Sequence, residues 1–401
     1  MAAKKSRSGG DEFATIERWP DALGELHTRV AERFHRPEVR QRARRYLAGL
    51  LGRLERKNGW QMAEAMGEMG PQGAQRLLNA ARWDADAVRD DLREYVVEYL
   101  GDEESGVLIV DETGFLKKGE KSVGVARQYT GTAGRVENAQ VGVFLAYASE
   151  KGAAFMDRAL YLPREEWAHD PLRRKEAGVP DEVRFATKGE LAKEMLHRAF
   201  EADVPARWVV ADTVYGTARG LRGWLEEQGR SYVLAVPSTK GIYHEERQRQ
   251  ARTVAKRLPE EAWFRASAGK GSKGERLYDW ACVPLPDPDG AQKRGRWLLV
   301  RRSIGDPSEL AYYLAYGPKE TLAEELIRVA GTRWQVEDCF EQAKGEVGLD
   351  EYEVRKWEAW YRHVTLSLLA HAYLTVLRSE AHDDAAQESE AKRGIVVVTS
   401  S

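Results

Sequence analysis

The chain has 401 residues, 42% of them apolar and 31% charged, which is enough to build the cores of two or three domains. Lys and Arg total 62 against 64 Asp and Glu, so the net charge of −2 points to neither an anionic nor a cationic partner. The two cysteines, Cys282 and Cys339, lie far apart without a CxxC spacing, which argues against a disulfide scaffold or a structural zinc site and fits a reducing cytosol.

Residues 1–15 read as a disordered tail, in which Lys4, Lys5 and Arg7 lead into Gly9-Gly10-Asp11-Glu12 rather than into the apolar stretch of a secretory signal. From 16 to 103 the spacing predicts an all-helical domain. Leu47, Leu50, Leu51 and Leu54 form one apolar face, Leu77, Leu78, Ala81 and Trp83 another, and Pro20, Pro37 and Pro71 mark starts or breaks. Basic residues crowd between Arg33 and Lys57, among them Arg40, Arg42, Arg44 and Arg45, and only Glu38 and Glu55 oppose them. Such an excess binds a polyanion by neutralising phosphates, or simply solvates a helix face; the sequence leaves these two readings level.

Strand signals open the next segment, 104–236. The run Val107-Leu108-Ile109-Val110 predicts a buried strand ending at Asp111. Residues 123–129 and 140–148, around the turn Gly131-Thr132-Ala133-Gly134, predict a hairpin. A loop rich in Pro and charge follows over 163–180, then a helix over 189–202 and a strand over 207–211 that ends at Asp212. A helix over 219–228 and a strand over 232–236 complete the order βββαβαβ, a mixed α/β fold with active residues expected at the carboxyl ends of its strands.

Residues 237–318 predict a β-rich insertion, with strand-like pieces at 297–300 and 312–315 between loops rich in Gly, Lys and Arg. The stretch from Gly269 to Gly274 resembles a phosphate loop but lacks the GxxxxGK[ST] spacing, so a flexible basic hairpin tip is the stronger reading. Trp263, Trp280 and Trp297 offer rings for stacking on an extruded base, although core packing is the commoner use. Over 319–380 the pattern predicts two long helices, 321–346 and 358–378, and residues 381–401 read as a flexible tail. The longest apolar run, 364–377, contains Thr365, Ser367, His371 and Thr375 and is too short and polar to span a membrane. His363 and His371 share one face there, without a Cys or third His, so structural roles are expected.

Asp111, Asp212 and Glu337 are the candidate catalytic residues. Two strand-end acids joined by a third from a later helix can converge on one point, and carboxylates with no Cys or His beside them suit hard cations such as Mg²⁺ or Mn²⁺. On a continuous helix, Arg333, Glu337, Phe340 and Lys344 would share one narrow face. The competing reading is a salt-bridged surface helix with Arg333 and Glu337 as an i,i+4 pair, which leaves the two strand-end acids unexplained.

Arg333, Glu337 and Lys344 stand at the spacing of the Y-R-E-K signature that surrounds the glutamate in a subgroup of DDE transposases of bacterial insertion sequences; Ala330 occupies the tyrosine position. Asp111-Glu112-Thr113-Gly114-Phe115 fits the family's pattern at the first acid, as do the segments Gly124 through Gly131 and Leu160-Tyr161-Leu162-Pro163. Ala211-Asp212-Thr213-Val214-Tyr215-Gly216 fits the second acid equally. Over about residues 20–378 the chain therefore resembles that family. The resemblance implies an RNase-H-like mixed sheet with a β-rich insertion and an N-terminal helical DNA-binding domain. It implies cutting of element ends and their joining to target DNA with two Mg²⁺ or Mn²⁺ ions, Asp111 and Asp212 holding both and Glu337 completing one coordination sphere. Lys344 would contact phosphate near the scissile bond and Arg333 would position it or the glutamate. The implied partner is double-stranded DNA, with a homodimer in the complex, in the bacterial cytoplasm. Two alternatives stay open: a domesticated DNA-binding relative without transposition, and a metal-dependent nuclease without strand transfer.

Overall fold

The computed structural model describes residues 10–271, 274–286 and 294–398, and their side chains from 21 to 382. The first nine residues and last three residues of the expected tails, with Ser272 and Lys273 of the Gly269–Gly274 stretch, lie outside the described residues. In chain order, five helices come first: α1 (Gly10–Ala31), α2 (Pro37–Leu51), α3 (Gly59–Ala65), α4 (Gln72–Asn79) and α5 (Ala85–Leu100). Four strands follow: β1 (Val107–Leu116), β2 (Ala126–Thr130), β3 (Arg135–Ser149) and β4 (Gly152–Tyr161). Then come α6 (Pro171–Ala177), α7 (Lys188–Glu201), β5 (Trp208–Ala211), α8 (Thr213–Thr217), α9 (Arg219–Glu227) and β6 (Ser231–Val236). The small pair β7 (Gly241–His244) and β8 (Arg247–Gln250) leads through α10 (Ala251–Ala255) to β9 (Phe264–Gly271), β10 (Gly274–Leu285), β11 (Arg294–Arg302) and β12 (Leu310–Pro318). Three helices close the described chain: α11 (Ala323–Thr332), α12 (Gln335–Val347) and α13 (Trp357–Val398).

These elements form two compact units. One comprises residues 1–99, 342–354 and 358–401, the other residues 100–341 and 355–357. In the first, α2 to α4 pack through Leu47, Leu50, Leu77 and Leu78, all buried. Tyr46 hydrogen-bonds His363 Nδ1 at 2.8 Å, and Arg362 donates to the carbonyls of Leu78 and Trp83. His363 and His371 are both buried, His363 as a hydrogen-bonded core group in the structural role expected of it. Two tail boundaries differ from expectation: α1 already begins at Gly10, and α13 continues to Val398. The Ala- and Glu-rich composition after Arg378 explains the second, since those residues favour helix without needing a buried face.

The second unit is built on a mixed sheet of ten strands in the order β2-β3-β1-β5-β6-β12-β11-β10-β9, with β4 also on β3. β1 runs antiparallel to β3 and β3 to β4, whereas β1, β5 and β6 are parallel neighbours. With helices packed on it, this is the mixed α/β architecture expected, consistent with an RNase-H-like core. Val107 to Val110 are 0% exposed, as a parallel strand between covered layers requires, each contributing about 1.5–3 kcal/mol by burial. The strands of 264–318 do not form a separate body, because β12 pairs β6 from Tyr312↔Val236 to Tyr316↔Tyr232 and continues the central sheet. The 163–180 segment contains α6 and a short π-helix, Arg164–Ala168, rather than only loop. The expected helix over 321–346 is split at Arg333 and Trp334. Gly331 lets the Ala268 carbonyl of β9 approach to where a Cβ would lie 2.0 Å away, and the Thr332 hydroxyl donates to the Arg328 carbonyl at 3.0 Å. Both features weaken helix continuation at that point. Among the described residues no helix is long and apolar enough to cross a membrane.

Candidate active site

The parallel pairing of β1 with β5 ends at Val110↔Ala211, and Asp111 and Asp212 are the next residue on each strand. Two neighbouring parallel strands therefore deliver their acids side by side at the carboxyl end, about 5 Å apart in backbone spacing. Asp111 does not terminate its strand, because β1 continues to Leu116 against β3. What ends at Asp111 is the pairing with β5, which opens a cleft there. Asp212 turns the chain into α8 as its N-cap, accepting from the Val214 N–H at 2.9 Å. Gly216 then lies where a Cβ would meet the Ala235 carbonyl oxygen at 1.8 Å, so α8 rests directly on β6 and Asp212 is held against the sheet.

Glu337 comes from the first turn of α12. Phe340, one turn later, packs on Phe144 (5.3 Å) and Phe155 (4.7 Å), and Phe144 is the register partner of Asp111 on β3. One aromatic cluster thus fixes the helix that carries the third acid over the strand that carries the first. Arg333 joins them: its Nη1 lies 3.3 Å from Asp111 Oδ2 and its Nη2 2.9 Å from Glu337 Oε1. The pair with Glu337 survives the helix break because Arg333 keeps αR geometry as the C-cap of α11.

Burial first, and then the charge of Asp212, push the Asp111 carboxyl up to about 7 against the pull of Arg333 and the Glu112 N–H. Burial and the charge of Glu112 also raise Asp212. Glu112 is a member of the site that the sequence reading passed over. It accepts from Tyr215 Oη at 2.6 Å and pairs with Lys188, the first residue of α7. Tyr215 is fully buried and raised well above its ordinary value by burial and by Glu112, so it is a structural donor and not an available nucleophile. The adjacency of Glu112 to Asp111 and the Asp-Thr-Val-Tyr run were visible signals, but their meeting depends on the β1–β5 register.

Among the described residues no group of three or more His, Cys, Asp or Glu stands close enough to hold a metal ion as the side chains lie. Arg333 takes the central place between Asp111 and Glu337. The donor set nevertheless suits a divalent cation: two neighbouring part-buried carboxylates, both raised by burial and by neighbouring negative charge, are relieved by a bound positive charge.

The remaining candidates divide. Lys344 lies on α12 beyond the boundary of this unit, half-buried, its pKa lowered by burial and raised by Asp350. In the helical unit, Arg40 donates to the Phe34 carbonyl at 2.7 Å, Arg33 pairs with Asp91 at 2.6 Å, and Lys57 donates to the Leu50 and Gly52 carbonyls. These basic residues are tied into the fold. Arg44 and Arg45 are exposed and Arg42 half-buried. Trp297 is 9% exposed on β11 with its ring over Gly295, and Trp280 is 1% exposed, so both are core residues without a free face for a base. Trp263 lies under the guanidinium of Arg302 at 4.3 Å.

Residues 29–267 match the family model described as DDE superfamily endonuclease, and residues 186–373 match that of the transposase DDE domain. A protein of Microchaete diplosiphon, described as a probable transposase for insertion sequence element IS701, is 28% identical over 306 residues, 72% of this chain and 76% of its own. Among solved structures, an endonuclease V variant of Ciona intestinalis in complex with DNA covers 64% of this chain and 97% of its own at 11% identity. Its TM-score of 0.24 is too low to bear on fold or function.

Proposed function

The chain belongs to the DDE superfamily endonucleases, and on that premise we propose that it cuts the ends of an insertion sequence and joins them to target DNA, using Asp111, Asp212 and Glu337 as its catalytic residues. The observation that carries the reading is the alignment of Asp111 with Asp212 one register step beyond the last β1–β5 pair, with Glu337 brought over them by α12. Divalent ions, Mg²⁺ or Mn²⁺ and two per site, would be held by the two aspartates with Glu337 completing one sphere, and when bound they supply an activated water and a stabilised leaving oxygen.

The chain's own residues set the rest. Glu112, fixed by Tyr215 and Lys188, orients the β1 backbone at Asp111. The N–H of Val214 turns the Asp212 carboxylate and shares its charge. Arg333 neutralises Asp111 and Glu337 before an ion enters, and afterwards its guanidinium is available to a phosphate. Hydrolysis breaks the P–O3′ bond and leaves a 3′-hydroxyl and a 5′-phosphate. In the joining step that 3′-oxygen attacks a target phosphodiester and expels the next 3′-oxygen, so no covalent bond to the protein forms. Double-stranded DNA is the partner, and a homodimer brings two ends together.

Incubation with the DNA that flanks its own gene, in Mg²⁺, tests the reading by scoring nicks and joined products. Asp212→Asn and Glu337→Gln should each lose cleavage by 100-fold or more while binding the same duplex. Wild-type cleavage in either variant removes that residue from the site. Cutting without joining would select the nuclease alternative, and binding without cutting the domesticated one.

A further inference from the structure

Beside the acids lies a cavity of about 490 Å³, with Asp212, Thr213, Arg301 and Arg333 in its walls and Pro237 and Ser238 along one side. The turn that carries Pro237 and Ser238 continues to Lys240, and the chain after Asp212 runs through α8 to Arg219 and Arg222 on α9. These three cations form a cluster at the carboxyl ends of β5 and β6. Arg219 is exposed, and Arg222 and Lys240 are half-buried. Burial lowers the pKa of Lys240, and the charges of Arg222 and Arg219 lower it further, with no acid acting in the opposite direction. None of the three makes an ion pair among the described residues, whereas the half-buried Arg302 pairs with Glu260 and Arg296 with Glu226. Arg222 Nε is buried and has no hydrogen-bond partner.

A fold that places three like charges together, half-buries two of them and gives none an ion pair, the nearby Glu226 being taken by Tyr232 and Arg296, loses stability in doing so, unless a ligand supplies the negative charge. Self-repulsion excludes a cationic or apolar ligand. Lys240 comes two residues after Ser238, which lies in the wall of a cavity that also reaches Asp212, and a row of cations leading toward that cavity fits a linear polyanion better than a small one.

We infer that Arg219, Arg222 and Lys240 hold the phosphodiester backbone of a DNA strand as it leaves the acidic site, a contact that rests on the DNA-cleaving function proposed above. The cluster is a positioning site: it sets where the backbone lies and touches no reacting atom.

The test is a salt titration of wild type and Arg219→Gln/Lys240→Gln on a fluorescent duplex from the DNA flanking the gene, together with joining of a pre-cut duplex into a plasmid in Mg²⁺. Each phosphate contact contributes about 0.9 to the slope of log K against log salt, so the double variant should flatten the slope by about two and bind on the order of tenfold more weakly at 0.2 M salt. If those changes appear on the flanking duplex, the held backbone is that of the element end. If duplex binding is unchanged while joining to plasmid is lost, it is that of the target. Because Arg222 is half-buried, it is tested as Arg222→Lys, which should keep the slope, against Arg222→Gln, which should lower it by about one. Variants that melt with the wild type and match it in slope, affinity and joining overturn the inference. Wild-type protein that neither binds nor cuts any DNA would instead overturn the function on which the inference rests.

Discussion

Asp111→Asn should make the metal-free protein more stable while removing its activity, and the size of the effect follows from the site. Burial and Asp212 raise Asp111 from 3.8 to about 7. A carboxyl with a raised folded pKa keeps its proton better in the native state, so its contribution to stability is fully present below about pH 3.8 and is lost as pH rises through about 7. A shift of about three units corresponds to about 4 kcal/mol at pH 8, about 2 kcal/mol at pH 5.5 and under 1 kcal/mol at pH 4. Asparagine is isosteric, carries no charge and still accepts the Glu112 N–H that meets Oδ1 at 2.8 Å. The shift already includes the favourable pull of Arg333, so the loss of that pair is not an additional cost. In EDTA at pH 8 the variant should therefore melt on the order of 10 °C above wild type, and the gap should close toward pH 4. Addition of Mg²⁺ should raise the wild-type melting point and leave the variant nearly unmoved, since a ligand stabilises only the state that binds it. The measurements are thermal unfolding at three pH values with EDTA or Mg²⁺, alongside DNA cleavage. A variant no more stable than wild type at pH 8 in EDTA would falsify the claim that Asp111 is a destabilised carboxylate waiting for a cation.

Gly216→Ala puts a methyl where the Ala235 carbonyl oxygen lies at 1.8 Å, a backbone atom that cannot step aside. It should cost about 1–3 kcal/mol in denaturant unfolding and, by shifting the Asp212 cap, about 100-fold in cleavage. Lys344→Ala should weaken assembly on cut ends in a native gel while thermal unfolding changes little; unchanged assembly and joining would make its spacing to Glu337 accidental. Arg42→Ala/Arg45→Ala, which leaves the anchored Arg40 in place, should flatten the salt dependence of end binding by about two units without changing sequence preference. A slope and affinity equal to wild type would return that helix face to simple solvation.

Asp111 and Asp212 were legible because apolar β-branched runs ending in an acid are a local signal, and Val107 to Val110 and Trp208 to Ala211 are such runs. The strand β4 was not. Its Ala153-Ala154-Phe155-Met156-Asp157-Arg158-Ala159 has few strand formers and two charges, and shows no alternation because both faces are covered. Its charges are tolerated since Asp157 accepts from Arg198 Nε at 2.9 Å, a contact 41 residues away that local reading does not contain. The same limit hid Glu112, whose partners Lys188 and Tyr215 arrive from α7 and α8.

Arg333 shows the limit from the other side. Its spacing to Glu337 is that of an ordinary i,i+4 surface pair and equally that of a catalytic signature, and the sequence cannot choose between them because both need the same two residues on one helix face. In the fold the helix breaks at Arg333, and the side chain meets Glu337 at 2.9 Å while reaching Asp111 on β1 at 3.3 Å, so the contact is more than a surface i,i+4 pair. A surface pair contributes at most about 1 kcal/mol, whereas the Arg333 guanidinium faces a part-buried carboxyl raised to about 7 and only partly offsets the burial and the Asp212 charge that raise it. On the function proposed above, the i,i+4 pair and the catalytic signature would be two states of one contact, separated by the binding of a metal ion.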